Sequence, residues 1–214
     1  MMSLDEIIQN RRSVREFNNE EVSDEIVREI VQAGLFAPSA CNVCGTRVIY
    51  IKDKQIIKRI IKLQTAHFIN ENTKILCIVY DNSGDNREYK ETALSAAAAI
   101  ENMLLKATQL NIATCWVANL PRQKFLKEIL NVPRNFDIIS FICFGRTNIK
   151  NKFVPRKYNV NDILYIDKFD TSKTINLAPP RLNVFLRRLA RGIYLRLPKF
   201  SWIVKFARRF ERKF

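Results

Sequence analysis

Residues 11–17 read Arg11-Arg12-Ser13-Val14-Arg15-Glu16-Phe17, with three guanidinium groups and a hydroxyl within five residues. Such a group of donors can bind a phosphate through charge-assisted, often bidentate hydrogen bonds. Ser3-Leu4-Asp5-Glu6 precedes it and forms a capping box, which predicts a short helix ending before the arginines. The alternative interpretation is a solvated basic helix end, which the helix dipole favours.

Segments with helical and strand-like apolar spacing alternate after this cluster. A second helix is predicted to begin at Ser23 and end near Gly34, and it leads into the loop Ala37-Pro38-Ser39-Ala40-Cys41-Asn42. Strands are then predicted at 48–51, 74–80, 114–118 and 138–144, and helices at 54–63, 88–110 and 121–130. The alternation indicates a layered α/β or α+β domain. Small residues on the 88–110 helix would let another backbone approach closely.

Charge is distributed unevenly along the chain. Of the formal net charge of +15, residues 168–214 carry +11, from thirteen Lys and Arg against Asp170 and Glu211. We therefore predict one folded domain over residues 1–167 and a basic C-terminal extension over residues 168–214. The asymmetry favours an anionic surface as partner of the extension.

Several kinds of site have no support in the sequence. There is no G-x-G-x-x-G or Walker motif, so a Rossmann or P-loop nucleotide site is not indicated. The single histidine, His67, has no patterned partner, so we interpret it as a structural or surface residue and predict no catalytic triad and no metal site. Five cysteines and an acidic N-terminus predict a reducing, cytoplasmic location. No apolar run reaches about 18 residues, so no membrane-spanning helix is expected.

Four pieces of the chain, in this order and with these gaps, resemble the nitroreductase family. They are residues 11–17, residues 37–42, Ala96–Ala107 followed by Thr114-Cys115-Trp116-Val117, and Phe144-Gly145 followed by Val154-Pro155-Arg156-Lys157. The resemblance covers residues 3–167 and includes a final short strand expected at Ile163–Ile166. It implies an α+β fold, with a mainly antiparallel sheet wrapped by helices, in an intertwined homodimer with two FMN molecules at its interface.

The resemblance also assigns roles to the cluster. Arg11 and Ser13 would contact the phosphate side and the pyrimidine edge of FMN, with Arg12 beside them. Arg15 would lie near N1 and the C2 carbonyl, where positive charge stabilises the anionic reduced flavin. Arg156 would return from late in the chain to the phosphate.

The remaining cofactor contacts implied by the resemblance come from two loops. Pro38 and Ser39 would reach the flavin of the other protomer, and Asn42 belongs to the same loop. Backbone groups near Ala118 and Asn119 would face N5. Family members generally use NADH or NADPH to reduce FMN and then reduce a small-molecule acceptor. The flavin does the chemistry, so no catalytic side chain is predicted.

One stretch departs from the family pattern. The family often continues after the position of Asn42 with Gln-Pro-Trp, two positions on, whereas this chain has Val43-Cys44-Gly45-Thr46-Arg47. The substrate class is therefore open, and a flavin-dependent dehydrogenase or dehalogenase is an alternative to an NAD(P)H oxidoreductase. The change also creates Cys41-x-x-Cys44, which is either a redox dithiol or two unrelated loop residues. A zinc site is less favoured because no second Cys/His pair is present.

The extension carries two apolar stripes at helical spacing, at residues 182–193 and 202–210, each with Arg and Lys alongside. This composition is typical of helices that lie on an anionic membrane. Packing on the protein's own dimer is one alternative, and RNA binding is another that the bulk of the stripes disfavours. A peripheral membrane or nucleic-acid adaptor with a vestigial flavin site is the corresponding function from a different class.

Overall fold

The computed structural model describes residues 2–63, 65–84, 88–149 and 154–169. Residues up to 149 belong to one compact unit and residues 154–169 to a second. In the first unit the helices are α1 (Leu4–Asn10), α2 (Asp24–Leu35), α3 (Lys54–Lys62), α4 (Glu91–Gln109) and α5 (Gln123–Leu130). The strands are β1 (Thr46–Ile51), β2 (Lys74–Asp81), β3 (Ala113–Val117) and β4 (Phe136–Gly145).

The four strands form one antiparallel sheet in the order β1-β2-β4-β3. Helices cover both of its faces, which explains why β2 is apolar without alternation. Ile75, Cys77 and Val79 pack on the side of α3 and α5, whereas Leu76 and Ile78 pack on the side of α2 and α4. The α+β architecture predicted from the sequence is confirmed.

Local signals at the helix starts also act as predicted. The Ser3 hydroxyl accepts from the Glu6 N–H and the Glu6 carboxylate accepts from the Ser3 N–H, which completes the capping box of α1. Ser23 caps α2 by accepting from the Ile26 N–H. Val22 and Val27, which flank this cap, are both buried in the cluster under α2 and α4.

Much of the small-residue face of the predicted 88–110 helix is buried against the same chain, including Ala96 and Ala107. Ala99 and Met103 of α4 lie under α2, where Gly34 is so close that a Cβ would overlap the Met103 side chain. The backbone that approaches α4 closely is therefore α2 of the same chain. Ala93 on the same face is exposed and Ala97 is half-buried, so a role of this helix in a dimer contact stays a prediction.

The strand expected at Ile163–Ile166 is also not found. Residues 160–163 instead form a single helical turn, α6 (Val160–Ile163), and no strand follows within residues 164–169. Asn159 and Asp162 make a capping box around its first turn, with the Asn159 N–H donating to Asp162 Oδ2 at 2.8 Å. The pair satisfies the backbone donors locally, and this favours helix over strand.

Candidate active site

The arginine cluster lies along the open edge of β3. Helix α1 ends at Asn10, and the chain then runs beside the strand, with a parallel bridge between Ser13 and Thr114. The Val14 N–H donates to the Thr114 carbonyl at 2.8 Å. Only Arg11 occupies the helix end, so the interpretation as a solvated helix terminus does not fit the other residues of the cluster.

A second anchor fixes the end of this segment. The Asn18 N–H donates to the Arg146 carbonyl at 2.8 Å, just beyond β4, and the Thr147 hydroxyl donates to the Glu16 carbonyl at 2.9 Å. Arg15, which is half-buried, therefore lies between two backbone attachments to the sheet. Its position is set by the fold and not by a flexible helix end.

The three arginines do not share one surface. Arg11 lies beside Glu101 of α4, with Nε 3.5 Å from Oε1. Arg12 and Val14 instead line a polar cavity of about 250 Å³. Since alternate side chains of an extended segment point in opposite directions, Ser13 and Arg15 lie on the other side from Arg12. The cluster is therefore split, with Arg12 set apart from the other proposed phosphate ligands.

The loop containing Pro38, Ser39 and Asn42 is folded back on itself. The Ser39 hydroxyl accepts from the Cys44 N–H at 2.9 Å, and the Cys44 thiol lies 3.5 Å from Asn42 Oδ1. The Ala40 N–H donates to the hydroxyl of Ser95, a buried residue of α4, at 3.0 Å. These bonds fix the loop beside the first half of α4.

Three residues of this loop adopt the left-handed conformation without being glycine. The φ angle is 50° at Cys41, 55° at Asn42 and 50° at Cys44. Such a conformation costs on the order of 1 kcal/mol for a non-glycine residue, and residues held in it concentrate at functional sites. The loop that leads into the stretch departing from the family pattern is therefore both strained and held in place by its own hydrogen bonds.

Gly45 fixes where this loop joins the sheet. A Cβ at this position would lie 2.5 Å from Cε1 of Tyr80, a buried ring of β2 that cannot swing aside. We expect Gly45→Ala to destabilise the protein by about 1–3 kcal/mol, the usual cost of overpacking a core. Urea denaturation measures this. Gly84→Ala is the matched control, since a Cβ there meets nothing within 4 Å, and equal midpoints for both variants would contradict the prediction.

Ala118 and Asn119 follow directly after β3, at the opposite end of the strand from the bridge to Ser13. Ala118 is exposed and its carbonyl accepts from the Leu120 N–H at 3.1 Å. The neighbouring Trp116 is 38% exposed. One edge strand thus carries both the arginine segment and the 118–119 backbone, and the contact of Ala118 and Asn119 with N5 stays a prediction.

The single histidine and three of the five cysteines are buried. His67 is buried, in agreement with a structural role. Burial raises the pKa of the Cys77 thiol to about 12 and raises that of Cys143 as well, whereas Cys41 and Cys44 are exposed. Arg156 lies, exposed, in the second unit, so its return to the phosphate stays a prediction.

Two kinds of feature are not found within the described ranges. No helix there has both the length and the apolar character needed to cross a membrane. No group of three or more His, Cys, Asp or Glu side chains among those residues could hold a metal ion. The two basic stripes of the extension lie beyond residue 169, outside the described residues.

Sequence reasoning missed Glu101 and Ser95. Both are on α4, and they meet Arg11 and Ala40 only because the sheet and α2 bring distant segments together. Neither residue has a motif around it, so no local signal could have identified these contacts. The nearest hint was the polar character of Ser95 and Glu101 within a largely apolar helix.

Comparison with known proteins identifies relatives of this fold. The model of the nitroreductase family matches residues 8–82 and 65–146. A "Putative NADH dehydrogenase/NAD(P)H nitroreductase" of Archaeoglobus fulgidus is 28% identical over 171 residues, which are 78% of this chain and 96% of that protein.

Solved structures give the same result. A nitroreductase-type protein of Desulfovibrio desulfuricans, crystallised in complex with FMN, is 26% identical, with a TM-score of 0.68 over 79% of this chain and 99% of that one. A protein of Parabacteroides distasonis with the same name as the archaeal relative reaches a TM-score of 0.69 at 22% identity, over 78% and 98% of the two chains. This last likeness concerns the fold alone.

Proposed function

Because the chain belongs to the nitroreductase family of oxidoreductases, we propose that it binds FMN and uses NADH or NADPH to reduce a nitroaromatic, a quinone or another organic acceptor. The family uses FMN, and a relative of similar fold was crystallised with it. The observation that carries the proposal is the attachment of residues 11–15 to the edge of β3. Guanidinium and hydroxyl donors thus lie along β3, the strand that Ala118 and Asn119 follow.

The residues fit the parts of FMN as follows. Arg11 and Ser13 would hold the phosphate side, where charged hydrogen bonds are strongest. Arg15, held between its two backbone attachments, would place positive charge at the pyrimidine edge. Pro38, Ser39 and Asn42 would close the site from a second protomer, and Arg156 would complete the phosphate contacts. Bound FMN supplies the electron-transfer chemistry, so this chain's task is to bind and orient.

The split of the arginine cluster refines this assignment. Arg12 lines its own cavity, apart from Arg11 and its ion pair with Glu101. Its contribution to FMN binding is therefore expected to be smaller than that of Arg11. Glu101 pairs with Arg11 and would be displaced from it, or share it, when a phosphate is bound.

The test of this function uses the purified full-length protein. It should carry a flavin absorbance band, lose that band when NADH or NADPH is added without oxygen, and regain it with a quinone. A flavin absorbance band in the protein as purified would by itself distinguish a flavoenzyme from an adaptor with a vestigial site. A flavin that neither NADH nor NADPH reduces would overturn the NAD(P)H oxidoreductase and favour a dehydrogenase or dehalogenase.

A homodimer is part of the proposal, since family members are generally dimers. Support comes from large apolar side chains left exposed around the loop at 37–44. Leu35 and Phe36 at the end of α2 are 69% and 79% exposed, and Leu94, next to the Ser95 that holds the loop, is 65% exposed. A patch of this kind on a single protomer is typical of an interface.

The five cysteines are all free thiols, which fits the proposed cytoplasmic location.

We also expect residues 181–214 to bind an anionic membrane surface. Basic residues near such a surface contribute about 1 kcal/mol each, and the apolar stripes add burial in the interface. In co-sedimentation, the full-length protein should pellet with vesicles containing phosphatidylserine, whereas a chain ending at Ala178 should stay in solution. Binding that survives the truncation would refute the role of the extension. If neither form binds and the shorter one unfolds, the extension packs on the protein itself.

A further inference from the structure

We infer that Cys41 and Cys44 form a redox-active pair that cycles between dithiol and disulfide and exchanges electrons with FMN. The inference rests on the proposed FMN site, because the pair lies in the loop of Pro38, Ser39 and Asn42. It would also assign a function to Cys44, which lies in the stretch 43–47 where this chain departs from the family pattern.

Access separates these two cysteines from the rest. Cys41 and Cys44 are exposed free thiols, whereas Cys77, Cys115 and Cys143 are at most 2% exposed within the sheet. Only an accessible thiol can reach an electron acceptor or a disulfide partner. Among the five cysteines, the loop pair is therefore the one able to take part in redox chemistry.

The loop that carries both cysteines is tightly folded. Two successive turns close here, with the Asn42 N–H donating to the Ser39 carbonyl at 3.0 Å and the Val43 N–H to the Ala40 carbonyl at 3.1 Å. The Cys44 N–H is tied back to the Ser39 hydroxyl at 2.9 Å, so Cys44 belongs to the same compact loop as Cys41. A disulfide requires Cα atoms about 4.4–6.8 Å apart, and two positions separated by only two residues in such a loop can meet this requirement.

Polar groups surround the Cys44 thiol in its reduced form. Its Sγ lies 3.5 Å from Asn42 Oδ1 and 3.7 Å from the Ser39 hydroxyl. Arg47 brings a positive charge to the same turn, since its Nη1 donates to the Cys44 carbonyl at 3.0 Å. Ser39 and Asn42 are also proposed cofactor contacts, so the thiol and the flavin would share neighbours.

The exchange balances without another reactant. When the S–S bond forms, both S–H bonds break, and the two electrons and two protons pass to oxidised FMN, which becomes reduced. In the reverse direction the S–S bond would be cleaved to two thiols, with the two electrons and two protons coming from reduced FMN. NADH or NADPH supplies the electrons at the start, as in the proposed function.

The first experiment is an anaerobic reductive titration of the holoenzyme after mild oxidation with diamide. We expect the parent to take up two two-electron equivalents per FMN, and Cys41→Ser and Cys44→Ser each to take up one. One equivalent in the parent would overturn the inference, and so would two equivalents in either variant.

The second experiment does not need the flavin. The apoprotein is equilibrated in glutathione buffers of graded potential and its intact mass is measured, since a disulfide lowers the mass by about 2 Da for a two-electron couple. Peptide mapping should place the bond between Cys41 and Cys44. Glutathione adducts without an internal disulfide, or a bond to a buried cysteine, would refute the pair. A protein that forms the disulfide but binds no FMN would refute the proposed function instead.

Discussion

Phe36→Glu is expected to convert the proposed homodimer to monomers and to abolish tight FMN binding. Phe36 is 79% exposed in the protomer, beside Leu35 and close to the loop at 37–44. Burying a side chain of this size contributes about 1.5–3 kcal/mol, and a two-fold interface loses it twice. The dimer dissociation constant should therefore rise about 10²–10⁴-fold. Because Pro38 and Ser39 would contact the partner's flavin, FMN affinity should fall when the dimer dissociates.

Light scattering at micromolar concentration, together with FMN titration, measures both effects. The matched control is Phe125→Glu, which changes an exposed phenylalanine of α5 on the other side of the sheet and should leave the dimer intact. A parent protein that is monomeric and loaded with flavin would contradict the proposed dimer. A Phe36→Glu variant that remains dimeric would place the interface elsewhere.

The sequence predicted the elements whose signals are local. The capping residues Ser3 and Ser23 and the apolar run at 74–80 each act within a few residues, and α1, α2 and β2 formed as expected. The short strand expected at Ile163–Ile166 did not form, and a local signal again explains the outcome. Its expectation came from family resemblance, while the local capping pair Asn159 and Asp162 favours a helical turn.

The site could be predicted only in part, because its contacts join distant segments. The sequence indicated that residues 11–15 bind an anion, but not that they pair with β3 or that Arg12 turns away from its neighbours. These facts depend on which side of an extended segment each side chain occupies, and a one-residue shift would exchange the two sets. Likewise, the small residues of α4 indicated close packing without saying that the partner is α2.

Arg11→Ala is expected to weaken FMN binding about 10–150-fold, which corresponds to about 1.5–3 kcal/mol for a charged hydrogen bond. The fold should persist, since Arg11 makes only a half-exposed ion pair with Glu101, and pairs of that kind contribute at most about 1 kcal/mol. Arg156→Ala should cause a loss of the same order if that residue returns to the phosphate.

Equilibrium dialysis of FMN against the parent and the variants measures these affinities. Arg59→Ala, an exposed arginine of α3 on the opposite face of the sheet from α4, controls for the loss of one positive charge and should bind FMN as the parent does. The loss in Arg11→Ala should shrink as salt rises, because screening weakens the phosphate contact in the parent. Unchanged affinity in both Arg11→Ala and Arg156→Ala would mean that neither Arg11 nor Arg156 holds the phosphate. Arg12 and its separate cavity would then be the next place to look, because Arg12 belongs to the same cluster and lies apart from Arg11.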